Sequence, residues 1–403
     1  MKNLYNKKIL IIICGGIAAY KALELIRIFK KNQCNVKTIL TKGALEFITP
    51  LSVSSLTSEK VYTDLFDYKN EAEMDHITLS RWADVILFAP ITANKLAQLS
   101  HGLAEDLATT VALASNKDIF LAPAMNVRMW ENQITKNNLI KLVSFGYKII
   151  EPEIGEMACG EYGSGKFSNP LNISKSINNY FKNIEENKKF KALVTAGPTR
   201  EYIDPVRFIT NRSSGKQGYA IANALQKNGF ETTLISGPTN LKFPDGVKII
   251  KVNTAEEMYE KSIINLPADV AIFSAAVADF KAKRGNLNKI KKENFEKLEL
   301  EKTKDILNCI SKHNKLRPKL VVGFAAETNN IEQNSIKKLN EKNCDWIVAN
   351  DVSNKKIGFD SDFNEVKIFK RNTSKAENIL LDTKEVIAQK LVEKISDELK
   401  ANA

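Results

Sequence analysis

The feature that most constrains this chain is an alternation of short, wholly apolar runs with amphipathic segments of helical period, and it occurs twice. The first series runs "KILIIIC" (8–14), a helix over about 17–31, "VKTILT" (36–41), "DVILFAP" (84–90), helices across 93–115, "DIFLAPA" (118–124), a helix near 128–145 and "YKII" (147–150). A polar helix and linker over 172–189 follow, and the rhythm restarts with "KALVTAG" (191–197). A helix over about 216–227, "ETTLIS" (231–236), "VKIIKV" (247–252), a helix near 254–265, "ADVAIFSAA" (268–276), "KLVVGFAAE" (319–327), a helix over 329–342, "DWIVAND" (345–351) and a closing helix at 384–399 complete the second series. Strands apolar throughout, separated by helices, imply parallel sheets covered on both faces. The fold class is therefore α/β, two doubly wound parallel-sheet domains of flavodoxin or Rossmann type joined by a helical linker, with boundaries at 1–188 and 189–403. A length of 403 residues agrees with two cores.

Composition narrows the function classes. No apolar run reaches the roughly 18 residues of a membrane span, and the basic start before "ILIII" flows into a helix pattern without a cleavage site, so the expected setting is the cytoplasm. The five cysteines, Cys14, Cys34, Cys159, Cys309 and Cys344, contain no C-x-x-C pair. Net charge is +12; residues 1–188 hold 22 Lys and Arg against 19 Asp and Glu, so +9 of the excess lies in the second half. The lysines are scattered, without the aromatic interleaving of a nucleic-acid groove. Anionic small molecules suit them better.

In doubly wound sheets ligands sit beyond the carboxyl ends of the strands. There the first half places "CGGIAAYK", two glycines opening a helix, where backbone N–H groups favour an anion; Thr41 and "APITANK" (89–95) share that rim. "GLAEDLATT" (102–110) reads as a further contact or as an ordinary helix start. His76 reads as an acid–base candidate or a surface histidine. "PAMNVRMW" (123–130) is a Met-rich packing corner or an apolar lid with Asn126 orienting a polar group. "GEMACGEYGSGK" (155–166) isolates Cys159 among glycines.

In the second half a long polar loop, "TAGPTREYIDPVRFITNRSSGKQG" (195–218), ends in Ser, Gly and Lys at a helix start, a phosphate nest. Asp279, just past a buried strand, is either a helix cap or a carboxylate holding Mg²⁺ against phosphates. Lys289, Lys291 and Lys292 form a charge run or an anion clamp, and "GFAAET" (323–328) ends a strand. Lys338 and Lys342 share a helix face at i, i+4, where their repulsion would be relieved by an anionic ligand.

In order and spacing these motifs resemble the bacterial bifunctional phosphopantothenoylcysteine decarboxylase/phosphopantothenate–cysteine ligase family of coenzyme A biosynthesis, over essentially the whole chain. The resemblance implies FMN in the first domain, near Gly15, Gly16, Ile17, Thr41, Thr92 and Asn94. It implies oxidation of the substrate's thiol carbon to a thioaldehyde, loss of CO₂ to an ene-thiol, and reduction back to the thiol. In it His76 is the base, Asn126 holds the substrate carboxylate, and Cys159 is the proton donor on a glycine-rich flap. The second domain is implied to activate 4′-phosphopantothenate with CTP as an acyl-cytidylate that cysteine's amine attacks, with Mg²⁺ carried through CTP at Asp279. Asn211 and Arg207 match positions handling the acyl-cytidylate, and Lys289 one serving nucleotide chemistry. Ser274, Ala275, Asp279, Lys304, Asp305, Ile306, Leu307, Phe324, Lys338 and Lys342 match the CTP pocket. Homo-oligomers, trimeric in the flavin domain and dimeric in the ligase domain, are implied too, and together make a dodecamer. Two positions depart from the family pattern: Lys166 stands where arginine is usual, and Tyr202 where proline is usual. Two other readings of the chain are a flavin-binding regulatory protein without turnover, and a decarboxylase of another cysteine-bearing substrate such as a peptide C-terminus.

Overall fold

The computed structural model describes residues 1–65, 75–283, 288–291, 297–327, 329–351, 361–371, 373 and 375–402. Two compact units divide between Lys182 and Asn183. That point falls inside the expected linker helix.

Unit 1 runs β1 (Lys8–Ile13), α1 (Tyr20–Lys31), β2 (Asn35–Leu40), α2 (Pro50–Thr57), β3 (Val61–Tyr62), α3 (Asp75–Trp82), β4 (Val85–Ile91), α4 (Ala93–Ser100), α5 (Leu107–Ala114) and β5 (Ile119–Pro123). It continues through α6 (Val127–Glu131), α7 (Gln133–Ser144), β6 (Lys148–Ile149), the antiparallel pair β7 (Glu153–Glu156) and β8 (Tyr162–Lys166), and into α8 (Pro170–Asn187). Its parallel sheet has the order β3-β2-β1-β4-β5-β6, the Rossmann order. The apolar first strand is covered on both sides: Ile9, Ile11 and Ile13 enter one core, Leu10 and Ile12 the other, all fully buried. The helix expected over 128–145 is two helices, because Asn132 ends α6 and caps α7 by accepting the Ile134 N–H at 2.9 Å.

Unit 2 runs β9 (Lys191–Ala196), the short hairpin β10 (Arg200–Tyr202) and β11 (Phe208–Thr210), α9 (Lys216–Lys227), β12 (Glu231–Ser236), β13 (Lys248–Lys251), α10 (Ala255–Ile264) and β14 (Val270–Phe273). Then come the pair β15 (Phe280–Ala282) and β16 (Leu300–Lys302), α11 (Ile306–Ser311), β17 (Leu320–Glu327), α12 (Ile331–Glu341) and β18 (Trp346–Asp351). β19 (Phe363–Lys370), β20 (Glu377–Thr383) and α13 (Lys384–Ala401) close it. Its sheet order, β13-β12-β9-β14-β17-β18-β19-β20, repeats that of unit 1 and adds two antiparallel strands at one edge. Those two strands are absent from the sequence reading. The expected long loop over 195–218 is in part the β10–β11 hairpin.

Both units repeat one fastening device. In "ADV" at 83–85 and again at 268–270, the aspartate before the central strand accepts the N–H of the first strand's first residue: Asp84 from Lys8 and Asp269 from Lys191, each at 2.8 Å. The carboxylate sets the register of the two strands that carry the site loops.

Candidate functional site

In unit 1 the ends of β1, β4 and β5 open onto a cavity of about 730 Å³, and the β7–β8 hairpin forms its cover. The strand ends supply Gly15, Gly16, Ile17, Pro90 and Ala124–Asn126; the hairpin supplies Glu156–Cys159 and Gly165–Phe167. The turn after β1 lies against the turn after β2 so closely that a Cβ on Gly15 would sit 2.6 Å from the Gly43 carbonyl carbon. A Cβ on Gly16 would meet nothing within 4 Å; it would project into open space beside uncapped N–H groups of the first helical turn. This is a cradle an anionic group fits and a side chain would fill. Asn126 caps α6, its Oδ1 accepting the Met129 N–H at 2.9 Å. Its Nδ2 has no hydrogen-bond partner among the described residues, so the amide end remains a donor.

The hairpin is glycine-rich because it passes too close for side chains. Gly165 has φ +119, and a Cβ there would lie 2.5 Å from the Met125 carbonyl oxygen, while the Met125 N–H donates to the Gly165 carbonyl at 3.0 Å. That contact seats the hairpin on the β5 end. Cys159 rides exposed at the tip, its Sγ 3.9 Å from Glu161 Oε2; Glu161 Oε1 lies 3.5 Å from Arg128 Nε on α6.

Gly15, Gly16, Ile17, Asn126 and Cys159 thus line one cavity. Thr41, Thr92 and Asn94 stand on the same rim without lining it: Thr41 Oγ1 donates to the Ile13 carbonyl, Thr92 caps α4, and Asn94 is exposed in the first turn of α4. His76 lies half-buried in the first turn of α3 and also stays outside the lining.

The "GLAEDLATT" stretch proves to be a helix start. Asp106 and Thr109 form a reciprocal capping box on α5, and buried Lys95 reaches Asp106 at 2.6 Å. Burial alone would push the Asp106 carboxyl up, but the Lys95 and Thr109 hydrogen bonds and the Lys95 charge hold it below its ordinary value of 3.8. A depressed carboxylate contributes stability that is fully present above that ordinary value and is lost as pH falls through the depressed one. Asp106→Asn should therefore lower the melting temperature of unit 1 by several degrees near neutral pH. In melts followed by circular dichroism, that gap should narrow below pH 3.8. A gap independent of pH would contradict the assignment.

In unit 2 the strand ends open onto two adjoining cavities of about 560 and 510 Å³, which share Ala275, Val277, Asp279 and Phe324. Asn211–Gly218, Ser274, Lys338 and Lys384 line the first; Thr195, Phe273, Lys304–Leu307 and Lys342 line the second. Asn211 Nδ2 donates to the Val277 carbonyl at 2.8 Å, fixing it to the segment after β14, and Ser274 Oγ donates to the Thr195 carbonyl of β9 at 2.7 Å. The first turn of α9 opens on Gly215 with no side-chain cap, leaving its N–H groups toward the first cavity. The repulsion expected between Lys338 and Lys342 is already met within the protein: Lys338 pairs with Glu327 at 2.6 Å, and Lys342 with Asp305.

Arg207 and Lys289 line neither cavity, but buried Asp204 joins their segments, accepting the Val206 and Arg207 N–H groups at 2.8 Å and that of Ile290 at 3.3 Å. Lys292 and Thr328 lie outside the described residues. Among the described residues no group of three or more His, Cys, Asp and Glu could hold a metal on protein ligands alone, and no helix is long and apolar enough to cross a membrane. Sequence reasoning reached Lys216 through the Ser-Gly-Lys helix start, but missed Arg212 and Lys384 as lining residues.

Comparison with known proteins separates the same two halves. Residues 1–182 match the family model described as flavoprotein, and residues 187–399 the one described as DNA/pantothenate metabolism flavoprotein C-terminal domain. The coenzyme A biosynthesis bifunctional protein CoaBC of Haemophilus influenzae is 42% identical over 395 residues, covering 98% of both chains. The chain belongs to this bifunctional family. The Bacillus subtilis member is 42% identical over 93% of each chain. Among solved structures, the C-terminal domain of a bifunctional CoaBC protein covers 53% of this chain at 40% identity, with a TM-score of 0.45. Membership accounts for two site-bearing units in one chain.

Proposed function

We infer that the chain catalyses two consecutive steps of coenzyme A biosynthesis: CTP-dependent ligation of cysteine to 4′-phosphopantothenate, then FMN-dependent decarboxylation of phosphopantothenoylcysteine to 4′-phosphopantetheine. The observation that carries this is the pairing in one chain of a cavity lined by Cys159 and Asn126 with a second, cation-rich strand-end cleft. The readings as a regulatory flavin binder or a peptide decarboxylase find no support beside relatives named as bifunctional enzymes.

In unit 2 the phosphopantothenate carboxylate attacks the α-phosphorus of CTP and pyrophosphate leaves; cysteine's amine then attacks the acyl carbon and CMP leaves. Asn211 and Arg207 serve the acyl-cytidylate, and Lys289 neutralises charge on the phosphates. Ser274, Ala275, Asp279, Lys304–Leu307, Phe324, Lys338 and Lys342 would bind CTP, and Asp279 would be the carboxylate that holds Mg²⁺, which would neutralise charge on the phosphates.

In unit 1 the Gly15–Ile17 turn, with Thr41, Thr92 and Asn94 on the rim, holds FMN. When bound, FMN supplies the two-electron oxidation and returning hydride that decarboxylation of an otherwise unstabilised carbanion requires. The Asn126 amide donates to the substrate carboxylate. His76 takes the proton released on oxidation, and the Cys159 thiol gives one back to the ene-thiol carbon chain as it is reduced. His76 lies outside the single-chain cavity, a gap that a second copy of the chain would close; a homo-oligomer is part of this proposal, as is a cytoplasmic setting.

Each half has its own assay. Phosphopantothenoylcysteine supplied without CTP should release CO₂ and yield phosphopantetheine; CTP and phosphopantothenate without cysteine should support exchange of labelled pyrophosphate into CTP. Failure of either removes that half of the function alone.

A further inference from the structure

We propose that Asp204 is a positioning residue for the ligase step, its carboxylate fastening the segment that carries Lys289 to the turn that carries Arg207. The inference rests on the ligase reading, in which Arg207 and Lys289 act, and adds to it what holds those two residues in register.

Asp204 stands between β10 and β11 with its side chain fully buried. An ionised carboxylate is costly to bury unless its oxygens are satisfied. Oδ1 accepts the Val206 and Arg207 N–H groups, each at 2.8 Å, and so closes the turn. Oδ2 accepts the Ile290 N–H at 3.3 Å and lies 3.8 Å from Arg207 Nη1. Burial would push this carboxyl up, but the three N–H bonds and the Arg207 charge hold it below its usual range, so the ionised form makes the joint. Closing the turn takes one acceptor oxygen, which a neutral asparagine or serine also supplies. The second oxygen, shared by Ile290 and Arg207, is what a carboxylate adds.

The turn is a fixed post. The Ile203 and Asp204 N–H groups donate to the Arg207 carbonyl at 2.9 and 3.3 Å, and the Arg200 N–H donates to the Asn253 carbonyl at 2.7 Å. Buried Glu201 accepts the Ala255 N–H at 2.8 Å. Residues 288–291, by contrast, lie between β15 and β16 in neither helix nor strand. Ile290 adjoins Lys289, so its bond to Oδ2 sets where the Lys289 backbone lies relative to the turn. Neither Asp204 nor Ile290 lines the two cavities, and the joint can be opened without touching their walls.

Asp204→Asn opens it selectively. The amide oxygen keeps the turn, while an amide NH₂ in place of Oδ2 meets the Ile290 N–H and the Arg207 guanidinium, donor against donors. In exchange of labelled pyrophosphate into CTP by the full chain with 4′-phosphopantothenate, the variant should lose about ten-fold or more in kcat. Calorimetry should find its CTP Kd within about two-fold of wild type. The cost of Asp204→Asn should shrink to about two-fold when it is added to Lys289→Met, because the residue it places is already gone. Losses that multiply in the double variant would overturn the proposal, and so would a CTP Kd that rises in step with the fall in kcat; either outcome makes Asp204 a structural support only. If Asp204→Asn does not fold, Ile290→Pro removes the same bond from the donor side, and unchanged exchange there would overturn the proposal. Wild-type protein that supports no exchange would instead sink the ligase reading, and this inference with it.

Discussion

Cys159→Ser is expected to leave CO₂ release intact, one equivalent per flavin or continuing where dioxygen reoxidises the reduced flavin, and to cut formation of phosphopantetheine by about 100-fold or more, the usual worth of a positioned general acid. The protein should accumulate a decarboxylated product lighter than phosphopantetheine by two hydrogens, visible by mass spectrometry. The reason is local. Cys159 sits at the tip of a hairpin whose shape is set by backbone bonds, Gly160 N–H to the Met157 carbonyl and Met157 N–H to the Glu161 carbonyl, each at 2.9 Å, with no packing from the thiol. A hydroxyl therefore keeps the hairpin and removes only the acidity. Loss of CO₂ release in parallel with product would show that Cys159 positions substrate, contradicting its role as the last proton donor.

Gly15→Val is expected to abolish flavin retention. A Cβ there meets the Gly43 carbonyl carbon, carbonyl oxygen and Cα at 2.6–2.8 Å, all backbone atoms that cannot rotate away, so the two strand-end turns must part. Overpacking of this kind costs about 1–3 kcal/mol, and here it falls on the turn proposed to present N–H groups to the cofactor phosphate. Purified variant should lack visible flavin absorbance and decarboxylase activity while pyrophosphate exchange by the other unit persists, because the two units have separate cores. Wild-type flavin content in the variant would place the phosphate elsewhere.

These positions differ in how far the sequence exposes them. The runs "KILIIIC" and "KALVTAG" announce strands buried on both faces, and the structure divides them between two cores: Ala192 and Val194 face one, Leu193 the other. The turn at Gly15 was legible because glycine clusters mark close approach, whereas the Cys159 stretch read as a glycine-rich flap without the β7–β8 pairing that makes it a hairpin. β19 and β20 were not. Leu380 and Leu381 are consecutive and both exposed, at 70% and 54%, which masks the alternation of an edge strand. Lys384 looks like one more solvated lysine at a helix start; only tertiary placement buries it beside the first turn of α9. The same limit applies to Lys338 and Lys342, whose helical spacing is plain in sequence while their partners, Glu327 and Asp305, lie on other elements.

One incubation tests the central claim most directly: purified protein with 4′-phosphopantothenate, cysteine, CTP and Mg²⁺, with products read by mass spectrometry. The account predicts 4′-phosphopantetheine together with CMP and pyrophosphate, without phosphopantothenoylcysteine ever being supplied. Phosphopantothenoylcysteine as the end product would leave a ligase beside a silent flavin unit, and no product at all would contradict the bifunctional account.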